Sequence, residues 1–268
     1  MAYFQKYKRI FDPLDREPYR ISRSKIELFT NCPRCFYLDQ RFGIKQPGGF
    51  PFTLNNAVDF LLKKEFDAHR EKKQAHPLMK HYGVEAVPFN HEKMNDWRDP
   101  FKGIEYFHEK TNFKVFGGVD DIWVDNQGQL IVVDYKATST NTEITLESEY
   151  RQAYKRQVEI YQWLLRGNGF EVSDMTYFVY ANGRKDVEAF DAKLKFDVKI
   201  MPYRGDDSWV EKSLIALREC LMSENMPPPK QDCDFCNYRK LAERIEAPQV
   251  VSIQKGQKGK KLKQKTLL

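Results

Sequence analysis

The pattern of apolar and polar positions changes its period along the chain, and each period predicts a kind of secondary structure. Helical spacing of apolar residues predicts three helices, at residues 54–70, 145–166 and about 207–223. Stretches rich in β-branched and aromatic residues predict strands at 117–136 as a hairpin, at 174–181 and near 194–200, with a turn at 182–183 between the last two. Strands that alternate with helices favour an α/β fold with a central mixed sheet flanked by helices.

The hairpin at residues 117–136, GGVDDIWVDNQGQLIVVDYK, carries the first candidate chemistry. If its turn at 126–128 has three residues, the register places Asp120 opposite Asp134, with Cβ atoms about 4.5–5.5 Å apart. A two-residue turn would shift the register by one position and separate the two aspartates. The apolar run at 131–133 predicts that the second strand is buried on both faces.

Two carboxylates at this distance repel each other unless a cation or a shared proton lies between them. Because carboxylate oxygens suit divalent cations, Asp120 and Asp134 predict a metal site. The alternative is an exposed strand edge with ordinary acidic residues. Lys136 lies two residues beyond Asp134 and therefore points to the same face of the strand, beside the place where a substrate would lie.

A glutamine interrupts the apolar stripe of the predicted helix 145–166. Gln157 precedes Tyr161 by four residues, so the two side chains lie on one helical face. A buried glutamine needs a polar partner, which is either a backbone group in the core or a ligand in a polar cavity. Gln157 and Tyr161 are therefore candidates to bind one ligand together.

Four of the five cysteines form two C-x-x-C pairs, Cys32 with Cys35 and Cys233 with Cys236. In a cytoplasmic chain this pattern is more typical of a metal site than of disulfides. Tetrahedral sulfur ligation suits zinc or an iron–sulfur cluster, and two unlinked reduced pairs are the remaining alternative. A shared site would join the two ends of the fold. Cys220 lies in a helix-like stretch and is predicted to be a small buried residue.

Composition and charge narrow the class of protein. With 41% hydrophobic residues, the chain of 268 residues can bury a large core. No stretch approaches the roughly 18 consecutive apolar residues of a membrane span, and the first ten residues lack the apolar centre of a signal peptide. We therefore expect a cytoplasmic protein without a membrane partner.

The net charge of +6 has a local origin. Six lysines follow residue 254, and without them the chain has 38 basic and 38 acidic residues. The segment 251–268, which is rich in lysine and glycine, is predicted to be a disordered basic tail. The tail is a candidate to hold a nucleic-acid backbone, and a solubilising terminus is the alternative.

Three motifs, in this order, resemble the RecB-like branch of the PD-(D/E)XK nuclease superfamily: G-x-V-D at 117–120, D-Y-K at 134–136 and Q-x-x-x-Y at 157–161. With the flanking cysteines, the chain looks most similar to the AddB and CRISPR-associated exonucleases, whose nuclease core is tied together by an iron–sulfur cluster. The resemblance covers about residues 22–240 and implies a restriction-endonuclease-like core. We accordingly expect three parts, an N-terminal arm at 1–20, a nuclease domain with the cysteine site at 21–250 and the tail at 251–268.

The resemblance implies metal-dependent hydrolysis of phosphodiester bonds in DNA, on single strands or at duplex ends. The catalytic residues that it implies are Asp120, Asp134, Lys136, Gln157 and Tyr161. The ligands that it implies for Mg²⁺ or Mn²⁺ are Asp120, Asp134, the Tyr135 carbonyl and Asp59. Lys136 would orient the attacking water or stabilise developing charge, and Gln157 and Tyr161 would position the DNA strand or Lys136.

The chain departs from these relatives at two places. Asp59 stands where they typically have a metal-ligating histidine, although an aspartate is also a good ligand for magnesium or manganese. The relatives usually take one cysteine from the N-terminal side and three from the C-terminal side, whereas this chain has two on each side. The four cysteines would hold a 4Fe–4S cluster or, alternatively, a structural Zn²⁺.

Three functions follow as hypotheses. The first is a DNA exonuclease in repair, recombination or CRISPR adaptation, and the second is a nucleic-acid-binding module of the same fold that has lost cleavage. The third is a nuclease subunit that is active only in a larger complex. The chain contains no G-x-x-x-x-G-K-[ST] phosphate loop, so a helicase activity would come from a partner. Phe116 and Trp123 lie near the predicted site and either stack bases or pack in the core.

Overall fold

The computed structural model describes residues 10–148 and 151–246. Within these ranges the helices are Arg23–Asn31 (α1), Pro33–Phe42 (α2), Thr53–Glu71 (α3), Pro77–His81 (α4), Met94–Arg98 (α5), Gln152–Gly167 (α6), Ser208–Met222 (α7) and Asp234–Glu246 (α8). The strands are Tyr19–Ser22 (β1), Ala86–Pro88 (β2), Ile104–His108 (β3), Phe113–Gly117 (β4), Asp121–Asp125 (β5), Leu130–Thr138 (β6), Met175–Gly183 (β7) and Phe196–Arg204 (β8). The predicted tail at 251–268 lies outside the described residues.

A five-stranded mixed sheet in the order β2-β5-β6-β7-β8 forms the centre of the fold. Strands β5 and β6 are antiparallel, whereas β6 and β7 are parallel. Parallel neighbours need a long crossover connection, and α6 lies in that connection. A second sheet has three strands in the order β1-β4-β3. The arrangement confirms the predicted α/β fold with a central mixed sheet flanked by helices.

The β5–β6 hairpin has the predicted register. Asp121 pairs with Val133, and Val124 pairs with Leu130. The amide of Asp125 donates to the carbonyl of Gln129 at 3.1 Å, and Gly128 closes the turn with a φ of +83°. A three-residue turn with glycine in the left-handed region is the expected geometry for this loop length.

Strand β6 is buried on both faces, as predicted. Its residues contribute alternately to two apolar cores: Val133 belongs to the core that includes Leu62 and Phe66 of α3, and Val132 belongs to the larger core that includes residues of α6 and α7. Because side chains alternate along a strand, Asp134 and Lys136 continue the Val132 series. They therefore face the side of the sheet on which α6 lies.

Several predicted elements differ in their bounds. The second predicted helix begins at Gln152 instead of residue 145. The predicted turn at 182–183 is wrong, because Asn182 and Gly183 still pair with Asp197 and Phe196 and the loop follows at 184–195. The periodicity also gave no sign of the short elements between residues 77 and 117, since strands and helices of three to five residues contain too few positions to show a period.

The two ends of the described chain meet through the cysteines. Cys32 lies between α1 and α2, and Cys35 lies in the first turn of α2. Cys233 precedes α8, and Cys236 lies in its first turn. This confirms the prediction that the N-terminal and C-terminal segments are joined there. None of the helices in the described ranges combines the length and apolar character needed to cross a lipid bilayer.

Candidate active site and cysteine cluster

The hairpin brings the two predicted metal-binding aspartates to one end of the central sheet. Asp120 directly precedes β5, and Asp134 follows Val133, which pairs with Asp121. The backbone amide of Tyr135 donates to Asp120 Oδ2 at 3.0 Å and holds that carboxylate beside β6. The predicted pairing of Asp120 with Asp134 therefore agrees with the register.

The carboxyl group of Asp134 is fully buried. Oδ2 pairs with Lys136 Nζ, Oδ1 accepts no hydrogen bond from the described part of the chain, and the carboxyl group is close enough to that of Asp120 to share a proton with it. Burial raises the pKa of Asp134 to about 7, with the neighbouring Asp120 adding to the rise and Lys136 opposing it. A buried oxygen without a partner is unfavourable for folding and is a ready ligand for a cation.

Asp120 differs from Asp134 because basic groups surround it. Burial by itself would raise the pKa of Asp120, but Lys63, Lys136 and the Tyr135 amide together lower it. Lys63 Nζ donates to Asp120 Oδ1 at 3.0 Å and to Asp59 Oδ2 at 2.8 Å. Lys63 thus brings Asp59 of α3 to the same site as the hairpin carboxylates.

The residues at this end of the sheet fit a divalent cation. Asp134 offers a buried oxygen that accepts no hydrogen bond from the described residues, and Asp120 lies across the hairpin from it. Asp59 shares the ammonium group of Lys63 with Asp120, so a third carboxylate is close. Carboxylate oxygens are the ligands that Mg²⁺ and Mn²⁺ prefer in proteins.

Lys136 is held by Asp134 and by an aromatic ring of α6. Its Nζ lies 4.6 Å from the centre of the Tyr154 ring. Burial alone would lower the pKa of Lys136, but Asp134 and Asp120 outweigh this effect and raise the pKa. The side chain therefore remains a cation, which suits it to contact an anionic substrate.

Gln157 and Tyr161 lie on one face of α6 and contact each other. Gln157 Nε2 donates to the Tyr161 hydroxyl at 3.3 Å, and this hydroxyl donates to the carbonyl of Gly118 at 2.6 Å. The Tyr161 ring also packs on Gly117, where a Cβ atom would lie 2.7 Å from ring atom Cε1. Gly117 is therefore required by close packing, and the Gln157–Tyr161 pair braces the segment that carries Asp120.

A buried network of charges, which sequence reasoning missed, supports the other side of the hairpin. Asp121 is fully buried and accepts hydrogen bonds from Arg70, from Arg98 at 3.0 Å and from the Tyr135 hydroxyl at 2.6 Å. Arg98 also donates to the carbonyl of Asp120 at 3.0 Å. Asp120 directly precedes Asp121 at the start of β5, and alternation predicts that neighbouring side chains point to opposite faces, which was the available signal that Asp121 has a separate role.

The two aromatic residues considered for base stacking are occupied within the fold. Trp123 is fully buried, and its ring centre lies 5.5 Å from that of Phe66. Phe116 lies beneath the guanidinium group of Arg20, 3.5 Å from the ring centre. Core packing is therefore the correct interpretation for Trp123, and Phe116 contacts a neighbouring strand.

The four sulfur atoms of Cys32, Cys35, Cys233 and Cys236 lie within 4.8 Å of one another. Three of their separations are 3.6 to 3.8 Å. A tetrahedral ion with metal–sulfur bonds of about 2.3 Å separates its ligands by about 3.8 Å, so the cluster fits a bound metal. The same four-thiolate set is used by zinc sites and by iron–sulfur clusters.

The surroundings of Cys32 favour its deprotonated thiolate form more than those of the other cysteines described below. Burial by itself would raise the pKa of Cys32, but hydrogen bonds from the backbone of Lys230 and Cys35 lower it to about 7. Burial raises the pKa of Cys35 to about 11. Cys220 stands apart in α7, where burial raises its pKa to about 11, and it is not part of the cluster.

Comparison with known proteins adds an independent line of evidence. The family described as the PD-(D/E)XK nuclease superfamily matches residues 53–241. A solved structure described as the crystal structure of SSO0001 is similar over 85% of this chain and 87% of its own, with 14% identity and a TM-score of 0.35. No curated protein matches the chain. Because the family match spans well over half of the chain, including the hairpin and α6, this protein belongs to the PD-(D/E)XK nuclease superfamily, whose general activity is metal-dependent hydrolysis of nucleic acids.

Proposed function

We propose that this protein is a metal-dependent DNA nuclease that hydrolyses phosphodiester bonds in single strands or at duplex ends. The observation that carries the proposal is the buried Asp134 carboxyl group, which has a partnerless oxygen, faces Asp120 across the hairpin and pairs with Lys136. This combination joins a cation site to a fixed ammonium group. Structural ion pairs do not require a buried oxygen without a partner.

The proposed ligands of Mg²⁺ or Mn²⁺ are Asp120, Asp134, the Tyr135 carbonyl and Asp59. When bound, such an ion lowers the pKa of a water molecule and neutralises negative charge on the phosphate. Asp120 enters this role already charged, because Lys63 and Lys136 lower its pKa against the effect of burial.

Lys136 would stabilise the negative charge that develops on the phosphate or orient the attacking water. Tyr154 and Asp134 fix its ammonium group from two sides. Gln157 and Tyr161 would hold the backbone that carries Asp120 in place. The Tyr161 hydroxyl donates to the carbonyl of Gly118, two residues before Asp120. We therefore assign them a positioning role in the reaction.

Replacement of Lys136 or Asp134 tests the assignment. We expect Lys136→Ala and Asp134→Ala to lower Mn²⁺-dependent cleavage of a labelled oligonucleotide by at least about 100-fold, because each change removes a charge from the reacting centre. Lys114→Ala is the matched control, since Lys114 lies exposed on β4. Full activity in either site variant, with circular dichroism equal to that of the wild type, would show that the site is wrongly assigned.

One observation favours a second candidate, a nucleic-acid-binding module without cleavage. The ammonium group of Lys63 lies between Asp59 and Asp120, where it competes with a metal ion for the same oxygens. This alternative predicts DNA binding without turnover under any divalent metal. Reproducible cleavage by the purified wild-type protein excludes it, and Lys63→Ala would then be expected to change the metal requirement.

The cysteine cluster has a proposed structural role. A 4Fe–4S cluster or a Zn²⁺ ion at Cys32, Cys35, Cys233 and Cys236 would tie α2 to α8. Metal analysis and an absorbance spectrum of anaerobically prepared protein distinguish the two. Iron with a broad visible band identifies the cluster, and a colourless protein with stoichiometric zinc identifies the zinc site.

The finer assignment follows the motif resemblance. We propose the RecB-like branch, with exonucleases of the AddB and CRISPR-associated kind as the nearest functional class. A helicase or a CRISPR-adaptation complex is the proposed partner, and the cytoplasm is the proposed compartment because reduced C-x-x-C pairs are typical there. A nuclease that needs such a complex would bind DNA alone and cleave it only after the partner is added.

A further inference from the structure

The segment 50–61 exposes an unusual number of large apolar side chains. The exposed fractions are 94% for Phe50, 74% for Phe52 and 66% for Phe60. Leu54 and Leu61 are also exposed. Five exposed large apolar side chains within twelve consecutive residues mark a candidate place for a partner to bind.

The exposed segment borders the proposed metal site. Asn55 Nδ2 donates to the carbonyl of Ala137 at 2.8 Å, one residue beyond Lys136. Asp59, one turn further along α3, shares Lys63 with Asp120. The first turns of α3, which carry part of the exposed segment, therefore lie beside Asp120.

The segment is also held at both ends. Gln46 hydrogen-bonds to the sulfur of Cys35 in the cysteine cluster, and Asn55 is tied to β6 through Ala137. Pro51 restricts the backbone between Phe50 and Phe52, whereas Gly48 and Gly49 leave the stretch before Phe50 freer to adjust. Side chains on a restrained backbone lose less conformational entropy when a ligand binds, so Phe52 and Phe60 are suited to recognition.

The charges around the rings favour an anionic partner. Between residues 45 and 64 the chain has three lysines and one acidic residue, Asp59. Lys63 pairs with that acid, while Lys64 is exposed to solvent. Aromatic rings flanked by the exposed lysines Lys45 and Lys64 match a single nucleic-acid strand, whose bases stack on aromatic faces while its phosphates contact lysines.

We propose that Phe50, Phe52 and Phe60 form a stacking platform for the bases of an unpaired DNA strand whose backbone enters the metal site. The inference rests on the proposed nuclease function and gives it a substrate preference. In a duplex the base faces are covered by their neighbours in the stack, so the platform discriminates in favour of single strands. Trp123 is buried within the hairpin against Phe66, and the Phe116 ring is covered by the guanidinium group of Arg20, so neither is available for this task.

The test compares a thymidine oligonucleotide with an abasic oligonucleotide of the same length, which keeps the phosphates and lacks the bases. We expect the wild type to bind the thymidine strand at least about tenfold more tightly at constant salt, measured by fluorescence anisotropy with Ca²⁺. The variant with Phe50→Ala, Phe52→Ala and Phe60→Ala should bind both strands equally. These residues are exposed, so the variant is expected to fold.

Further variants separate stacking from apolar contact in general. Phe52→Trp keeps a stacking face and should retain affinity, whereas Phe52→Leu keeps an apolar side chain without a ring and should lose it. Phe107→Ala is the matched control, because Phe107 is 42% exposed on β3 of the other sheet. Equal loss with Trp and Leu, or unchanged binding in the triple variant, overturns the platform, as does a wild type that binds no single strand.

Cleavage is scored separately, so that the two proposals fail in different ways. If the wild type cleaves DNA with Mn²⁺ and the triple variant keeps the preference for single strands, the platform is wrong and the nuclease assignment stands. If the wild type binds single strands through the three rings and cleaves no DNA under any metal, the platform stands and the nuclease assignment fails. If the triple variant keeps its DNA affinity but loses a co-purifying protein, the surface is a protein-docking site and the platform is wrong.

Discussion

At the scale of single residues, the candidate site contains two carboxyl groups whose surroundings shift their pKa values in opposite directions. Asp120 accepts hydrogen bonds from Tyr135 and Lys63, which lower its pKa against the effect of burial. Asp134 is fully buried with one partnerless oxygen, and its pKa is raised to about 7. Asp120 is therefore charged at neutral pH, whereas Asp134 is about half protonated there, and a bound cation would displace the remaining proton.

The raised pKa of Asp134 predicts how stability depends on pH. The folded protein holds this proton more tightly than the unfolded chain, so the contribution of Asp134 to stability is present at low pH and is lost as the pH rises through about 7. Without added Mg²⁺ or Mn²⁺, the melting temperature of the wild type should therefore fall from pH 5 to pH 8. Asp134→Asn should show a smaller fall, because an amide does not titrate.

Added Mn²⁺ supplies a second measurement of the same group. Because the cation binds the deprotonated carboxylate, its affinity should weaken by up to about tenfold for each pH unit below 7. Parallel pH profiles for wild type and Asp134→Asn, in either experiment, would show that another group is responsible.

At the scale of secondary-structure elements, the hairpin is held from both faces. On one side the Gln157–Tyr161 pair of α6 reaches Gly118. On the other, Asp121 joins β5 to α3 and α5 through Arg70 and Arg98. The positions of Asp120 and Tyr135, which flank the proposed cation, are consequences of these contacts between elements.

Replacement of Asp121 tests the second support. Asp121→Asn removes the buried counter-charge of Arg70 and Arg98, which keep only their pairing with the partly exposed Asp67, and loss of one partner of a buried ion pair costs up to about 3–5 kcal/mol. We expect a loss of this size in the free energy of unfolding, measured with urea, together with weaker Mn²⁺ binding. Asp186→Asn is the control, because Asp186 pairs with Arg184 on the exposed surface and its loss should change stability little. A wild-type urea midpoint in Asp121→Asn would contradict the proposed support.

At the scale of the whole molecule, the cysteine cluster joins segments that are far apart in the chain. Cys35 is 198 positions from Cys233, and their sulfur atoms lie 3.6 Å apart. The cluster also contacts the segment that leads to α3, through Gln46. A metal bound there would therefore stabilise both the junction of α2 with α8 and the segment that leads to the candidate active site.

Replacement of one cysteine tests whether a shared metal joins α2 to α8. Cys236→Ser should lower the metal content and the melting temperature, the latter by at least about 5 °C, because binding energy at a structural metal site is folding energy. Cys220→Ser should change neither, since Cys220 lies outside the cluster. Unchanged metal content in Cys236→Ser would show that the four thiols do not share a metal.

Much of this arrangement followed from the sequence because the signals were local. The turn length set the hairpin register, and that register was enough to place Asp120 opposite Asp134. Helical spacing placed Gln157 and Tyr161 on one face, and the C-x-x-C spacing predicted the cysteine cluster. The start of the helix predicted at 145–166 was wrong by seven residues, because acidic residues before Gln152 are typical of the first turn of a helix.

The remaining features depend on contacts between distant segments, which leave no periodic trace in one sequence. Lys63 reaches Asp120, and Arg98 reaches Asp121, only once α3 and α5 have packed against the sheet. The sequence also did not indicate that Trp123 is buried and Phe52 is exposed, because the type of residue alone does not decide whether an aromatic side chain lies in the core or on the surface. The sequence by itself determined the candidate residues and the register of the hairpin, because these depend on local spacing, and the tertiary structure decided which charges meet and which rings remain exposed.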